Sequence, residues 1–415
     1  VTYASASFFD LDCSSNRAKK FSTTHLKSYR EVHSEPYHFH TETLCQPEKK
    51  GRPSMASLSR RLRSSWIGRR SLLARQGIEL RGMQWLSNRI PKMSRAKSLQ
   101  LSDLIGRVAY TIDSRGKKIA LENLRVAQAN GQLRLPNQDL SQLLRACYAN
   151  FARNFVDLFW FSRLNSETIH DWLEIDGREQ LEQVIERNRG AIFITPHFGC
   201  FELSSLVVGY LGCELNIVAQ EFRNNALTDI FFQARQNSGH RVHPRQGVML
   251  KLMRLLRDQQ HIALLTDLSV PPQNAASAIR CFGTPTSVTA LHVELASRCN
   301  SPILAATCEP LPNGKARLRV LDLFEPSSSF ANNRRHRAAI VQRIWDCFEQ
   351  VIKERPELWL WMYRHWRHST NSALVQFPAY AHHSAEFQLY CEQELNAALE
   401  IAVPVSGSRR WLKAS

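Results

Sequence analysis

From about residue 172 the chain alternates short apolar runs with longer amphipathic stretches. "AIFIT" (191 to 195), "LNIVA" (215 to 219), "IALLT" (262 to 266) and "PILAATC" (302 to 308) read as strands. Helices are expected near 200–212, 224–237, 247–259 and 286–299. Continuous apolar strands bounded by helices argue for an α/β fold, a mainly parallel sheet flanked by helices on both faces. In such sheets the chemistry gathers beyond the carboxyl ends of the strands. Upstream, Leu140, Leu143, Leu144, Cys147, Phe151, Phe155, Leu158 and Phe159 recur at i, i+3 and i+4, which predicts a helix over 139–162 with one apolar, aromatic face. That face either packs on the core or lines a groove for an acyl chain.

The ends read differently. Residues 1 to 55 are polar and aperiodic, an expected disordered extension that precedes a natural start at Met55. Between 56 and 95, Leu62, Trp66, Leu73, Leu80 and Trp85 recur among arginines at roughly helical intervals. This reads as a basic amphipathic segment that associates with a membrane, although Gly68, Gly77 and Gly82 weaken the helix. Residues 96 to 368 form the expected main domain, and 369 to 415 a helical tail.

Charge sharpens that picture. Of the net +17, residues 59 to 97 supply ten, with eleven Lys or Arg against Glu79. A regional cluster of this kind suits anionic lipid, nucleic acid or an acidic protein. No apolar run reaches the ~18 residues a membrane-spanning helix needs, and no secretory signal is recognised at the start. The ten cysteines are scattered singly, as in a reducing compartment. Nucleotide-binding loops, a G-x-S-x-G elbow and H-E-x-x-H are all missing.

The candidate chemistry is in "IFITPHFGCFEL", where a strand runs into His197 and, five residues on, Glu202. On one helix, five residues correspond to ~500° and would set the two side chains apart. They meet if His197 lies in the turn after the strand and Glu202 in the first helical turn, with Gly199 freeing the backbone. A carboxylate on one imidazole nitrogen would then fix the tautomer and leave the other as a base. Pro196 helps end the strand. Cys200 raises a competing cysteine-dependent thioesterase, and "RRLR" and "NNRRHR" a nucleic-acid binder, which lacks a recognition motif. His240 and His243, with His33, His38 and His40, lack the spacing of a metal site.

"ITPHFGCFEL" resembles the H-x-x-x-x-D/E motif of glycerolipid-type acyltransferases, in the H-F-G-N-W-E form of the lauroyl and myristoyl acyltransferases of lipid A biosynthesis. "GKKIALENLRVA" (116 to 127, with Asn123 and Leu124), "EFRNNALTDIFFQARQNSG", "IALLTDLSV", "CFGTPTSVT" and "PELWLWMYRHW" resemble further motifs in the same order. The resemblance implies a glycerolipid-acyltransferase-like fold, and an acyl donor on acyl carrier protein or coenzyme A. It implies a hydroxyl acceptor on a membrane glycolipid, with no metal, no cofactor and no nucleic acid. Its catalytic pair maps to His197 as base and Glu202 as orienter, and its substrate-binding positions to Arg223, Arg235 and Asp267. Arg235 would hold a phosphate or the oxyanion, or form a structural ion pair. Asp267 would belong to the site or merely cap a helix. Cys200 and Phe201 stand where the family has Asn and Trp, and the loop after Asp267 lacks its usual glycine. In place of a hydrophobic anchor, the basic segment is expected to hold the protein peripherally on the anionic, cytoplasmic face of the inner membrane, each Lys or Arg contributing about 1 kcal/mol.

Overall fold

A seven-stranded sheet carries the fold, in the order β1-β9-β8-β2-β5-β3-β4. The computed structural model describes residues 76–395, apart from 131, 136–138, 188, 220–223, 245–246, 273–274, 327–332 and 372–373. The sheet strands are β1 (Leu173–Asp176), β2 (Ile192–Thr195), β3 (Leu215–Ala219), β4 (Arg241–Pro244), β5 (His261–Leu265), β8 (Ile303–Pro310) and β9 (Ala316–Phe324). The run β8-β2-β5-β3-β4 is parallel, β9 is antiparallel to β8, and β1 is parallel to β9. This is the mainly parallel α/β sheet expected from the apolar runs.

The centre of the sheet is β2, which pairs on both sides with β5 and β8. Ile192, Phe193 and Ile194 are buried, as a strand covered on both faces requires. The helix Leu140–Phe161 begins where the Asp139 carboxylate accepts the Ser141 N–H and closes one open helical donor. Its Val156, Leu158 and Phe159 share one core with Phe193 of β2 and with Leu203, Leu206 and Val207 of the helix Phe201–Tyr210. The apolar face anticipated at 139–162 is thus core packing, and Phe155 and Phe159 also meet the Phe231 ring at 5.7 and 5.6 Å.

The expected helices at 200–212, 224–237 and 247–259 form as Phe201–Tyr210, Asn225–Gln236 and Val248–Arg257. The one placed at 286–299 starts only at Leu291. Its first residues instead belong to a hairpin of β6 (Ala276–Cys281) and β7 (Thr284–Thr289), where Thr286, Val288 and Thr289 favour a pleated strand. Phe282 and Gly283 close the hairpin with φ of 47° and 77°, both left-handed, as a two-residue turn with matching twist demands. Phe282 is a bulky residue in that region, a strain of order 1–3 kcal/mol. Its buried ring lies 5.8 and 5.5 Å from the rings of Trp359 and Trp361, contacts that offset the strain.

Of the amphipathic segment expected between 56 and 95, residues 79 to 89 are helical; 56 to 75, like the polar 1 to 55, lie outside the described residues. No helix among the described residues is long and apolar enough to cross a membrane. Within the expected tail a helix spans Ala385–Glu394, and residues beyond 395 are not described.

Burial of histidine gives the fold an acid-sensitive side. Both ring nitrogens of His292 are buried and have no hydrogen-bond partner among the described residues, and burial pushes its pKa down to about 3. Unfolded, the imidazole binds its proton near ~6.5, so the unfolded chain takes up a proton that the folded one refuses. Stability is therefore complete at neutral pH and is lost progressively as pH falls from ~6.5 towards 3. The melting temperature is expected to drop between pH 7 and 5, and less steeply in His292→Leu; identical slopes in calorimetry would contradict this assignment.

Candidate active site

Two strands of equal reach build the centre. In register, Thr195 of β2 lies opposite Leu265 of β5, and the ladder continues through the Thr266 N–H to the Thr195 carbonyl. Each chain then runs two residues further, to His197 and to Asp267. The His197 Nδ1 lies 2.7 Å from Asp267 Oδ1, and the His197 backbone N–H donates to Oδ2 at 3.0 Å. Trp359 Nε1–H donates to the same Oδ2 at 2.9 Å.

Burial alone would raise the Asp267 carboxyl. The facing His197, its hydrogen bond and the Trp359 donor outweigh that and hold it at about 2. An ionised Asp267 accepts but cannot donate, so the Nδ1 that faces it carries a proton. Nε2 makes no hydrogen bond among the described residues, and the ring remains 11% exposed. The Phe201 ring meets it edge-on at 5.0 Å.

The turn that presents His197 is fixed from three sides. Gly199 has φ +58°, and a Cβ there would come within 2.2 Å of the Cys308 carbonyl oxygen, so only glycine fits. The Cys200 N–H donates to that carbonyl at 2.6 Å, tying the turn to β8. The Gly199 N–H donates to the Leu358 carbonyl at 2.8 Å, tying it to the "PELWLWMYRHW" segment. From the helix Leu140–Phe161, Asn154 donates to the Gly199 carbonyl and accepts the Glu202 N–H at 3.3 Å, while Asn150 donates to the Leu358 carbonyl at 3.2 Å. Asn123, singled out in the sequence, is buried and donates to the carbonyls of Trp361 (2.8 Å) and Tyr363 (2.7 Å). Its role is to brace that segment.

The expected pairing of His197 with Glu202 is corrected. Glu202 does lie in the first turn of its helix, but its carboxylate is held in both oxygens by the Arg235 guanidinium, at 3.0 and 2.7 Å. The carboxylate on the His197 ring is that of Asp267, seventy positions downstream. Asp267, expected among the substrate-binding residues, has a side chain with no exposure and faces His197. Arg235 spends Nε and Nη2 on Glu202, and its charge is balanced within the protein. Arg223 lies outside the described residues.

The cysteine reading loses ground. Cys200 is fully buried, burial pushes its thiol up to about 12, and Sγ faces Asp157. A thiol in that state is a poor nucleophile. His240 accepts the Leu215 N–H and donates to the Ser205 carbonyl, and His243 bonds Asn216, so both serve the sheet. Among the described residues no group of three or more His, Cys, Asp or Glu side chains could hold a metal. Trp359, Asn150 and Asn154 are not singled out for the site by the sequence, whereas "IFITPH" and "IALLTD", each running just past a strand, already place His197 and Asp267 at the same sheet edge.

Residues 83–368 match a family described as bacterial lipid A biosynthesis acyltransferase. Among curated proteins, the phosphatidylinositol mannoside acyltransferase of Mycolicibacterium smegmatis is 22% identical over 228 residues, which cover 54% of this chain and 72% of that protein.

The Glu202 and Arg235 side chains, 18% and 13% exposed, form a largely enclosed pair between two helices. Removing either partner leaves the other charge uncompensated. Glu202→Gln and Arg235→Gln are each expected to destabilise the fold, and the double variant less than their sum. Urea denaturation should give a coupling energy of about 0.5–3 kcal/mol; simple additivity would mean that the pair contributes little.

Proposed function

The chain belongs to the bacterial lipid A biosynthesis acyltransferase family, and from that premise we propose that it transfers a fatty acyl group from a thioester to a hydroxyl of a membrane glycolipid. The donor is acyl carrier protein or coenzyme A, and the acceptor resembles a lipid A precursor with a phosphorylated or glycosylated headgroup. The protein works peripherally at the cytoplasmic face of the inner membrane, held by the basic segment between 56 and 95.

One observation carries the chemistry: His197 is tied at Nδ1 to a charged, buried Asp267, while Nε2 makes no hydrogen bond among the described residues and the side chain keeps 11% exposure. An acceptor hydroxyl placed against Nε2 gives its proton to that nitrogen while its oxygen attacks the thioester carbonyl. Asp267 stabilises the imidazolium that forms without taking its proton. The tetrahedral intermediate then expels the thiolate, which recovers the proton from Nε2. The products are an ester and a free thiol, with no acyl-enzyme. Burial of Cys200 supports this direct route over a cysteine nucleophile.

His197→Ala is expected to lower transfer by ~10²–10⁴-fold, the usual contribution of a general base, in a protein that still folds but melts at a lower temperature because buried Asp267 loses one of its donors. Asp267→Asn should also lose most of its kcat. The assay is transfer of a labelled acyl group from coenzyme A or carrier protein to extracted glycolipid, and full turnover by His197→Ala would overturn the mechanism. Cells lacking the protein are expected to accumulate a glycolipid one acyl chain short.

A further inference from the structure

The Asp267 carboxylate can turn about its own χ2, and it orients His197 only if that rotation is stopped. Oδ1 faces the imidazole; Oδ2 receives the His197 backbone N–H and the Trp359 indole N–H. Of the three donors, only the indole comes from outside the histidine itself. A phenylalanine could fill much of the same space, but it could not make this bond.

The indole is itself immobilised. Trp359 is 1% exposed, with Trp361 edge-on at 4.7 Å, Trp345 at 5.9 Å and Phe282 at 5.8 Å. On one face His365 stacks at 3.9 Å with planes only 24° apart. His365 Nε2–H donates to the Leu360 carbonyl at 2.8 Å, and the Leu360 N–H donates to the His197 carbonyl at 3.2 Å. His365 therefore grips both consecutive residues that reach the centre: Trp359, which holds the carboxylate, and Leu360, which holds the backbone of the base.

We propose that Trp359 is a positioning residue for the acyl transfer, locking Asp267 through its indole N–H, and that His365 acts through it by fixing the indole plane. The inference rests on the reading of His197 as general base. Preorganised donors of this kind raise the rate because the carboxylate needs no rearrangement as the imidazolium forms. Burial, only partly opposed by Asp267 and the Leu360 carbonyl, pushes His365 down to about 4, so its ring stays neutral beside the centre and does not compete with His197 for the carboxylate.

The test uses the full chain with Trp359→Phe, with benzothienylalanine at 359, which keeps the indole shape and loses only the N–H, and with His365→Phe. In the first two, kcat is expected to fall about tenfold or more with KM for donor and acceptor unchanged. The acid limb of the kcat/KM profile should move to higher pH, because a carboxylate relieved of one donor holds the imidazolium proton more firmly. His365→Phe, which keeps a ring and loses the bond to Leu360, should show the same split with a smaller loss. The His197 Nδ1–H proton resonance, read by NMR without substrate, should shift in all three. A benzothienylalanine protein with unaltered kcat, pH profile and Nδ1–H resonance overturns the proposal. Full activity in His197→Ala would instead sink the base assignment, and the resonance would still decide whether the indole sets the His197–Asp267 bond.

Discussion

A charged carboxylate in a dry interior is the constraint from which the rest of this molecule follows. Taking an ionised Asp267 out of water costs several kcal/mol unless its oxygens are met by well-placed donors. The protein supplies three: an imidazole, a backbone amide and an indole. Each comes with its own requirements. The imidazole and the amide require β2 and β5 to be adjacent and in register, and the indole requires the "PELWLWMYRHW" segment to run against the His197 turn. Asn123, Asn150 and Asn154 then bond the carbonyls left open where these irregular backbones meet.

The second ion pair solves a different problem. Glu202 and Arg235 join the helix that follows β2 to the helix that follows β3, on the flank of the sheet beside the His197 turn. A bidentate pair constrains direction as well as distance. With Asn154 also accepting the Glu202 N–H, the start of that helix is held to two others. Glu202 thus serves the centre by keeping its frame in place, while Asp267 touches the imidazole.

Much of the frame was legible in the sequence because strands such as "AIFIT" and "IALLT", covered on both faces, leave continuous apolar runs. β1 and β9 were not, because edge and next-to-edge strands such as "LEID" and "ARLRVLDLF" mix charged and apolar residues. β6 and β7 were obscured by Thr and Ser, which a one-dimensional reading assigns to loops or helix starts. Proximity in sequence pointed to Glu202 as the partner of His197. The true partner is remote along the chain, and only the pairing of Thr195 with Leu265 brings it close. Trp359 carried no legible role, since an indole used for packing and one used for its N–H look the same in a sequence.

The position of β5 between β2 and β3 has a consequence for biogenesis. Its neighbours are both synthesised before it, so the gap they flank can be filled only after residue 265 has left the ribosome. Trp359 arrives almost a hundred residues later still. No nascent chain or amino-terminal fragment ending before that tryptophan can hold the complete centre.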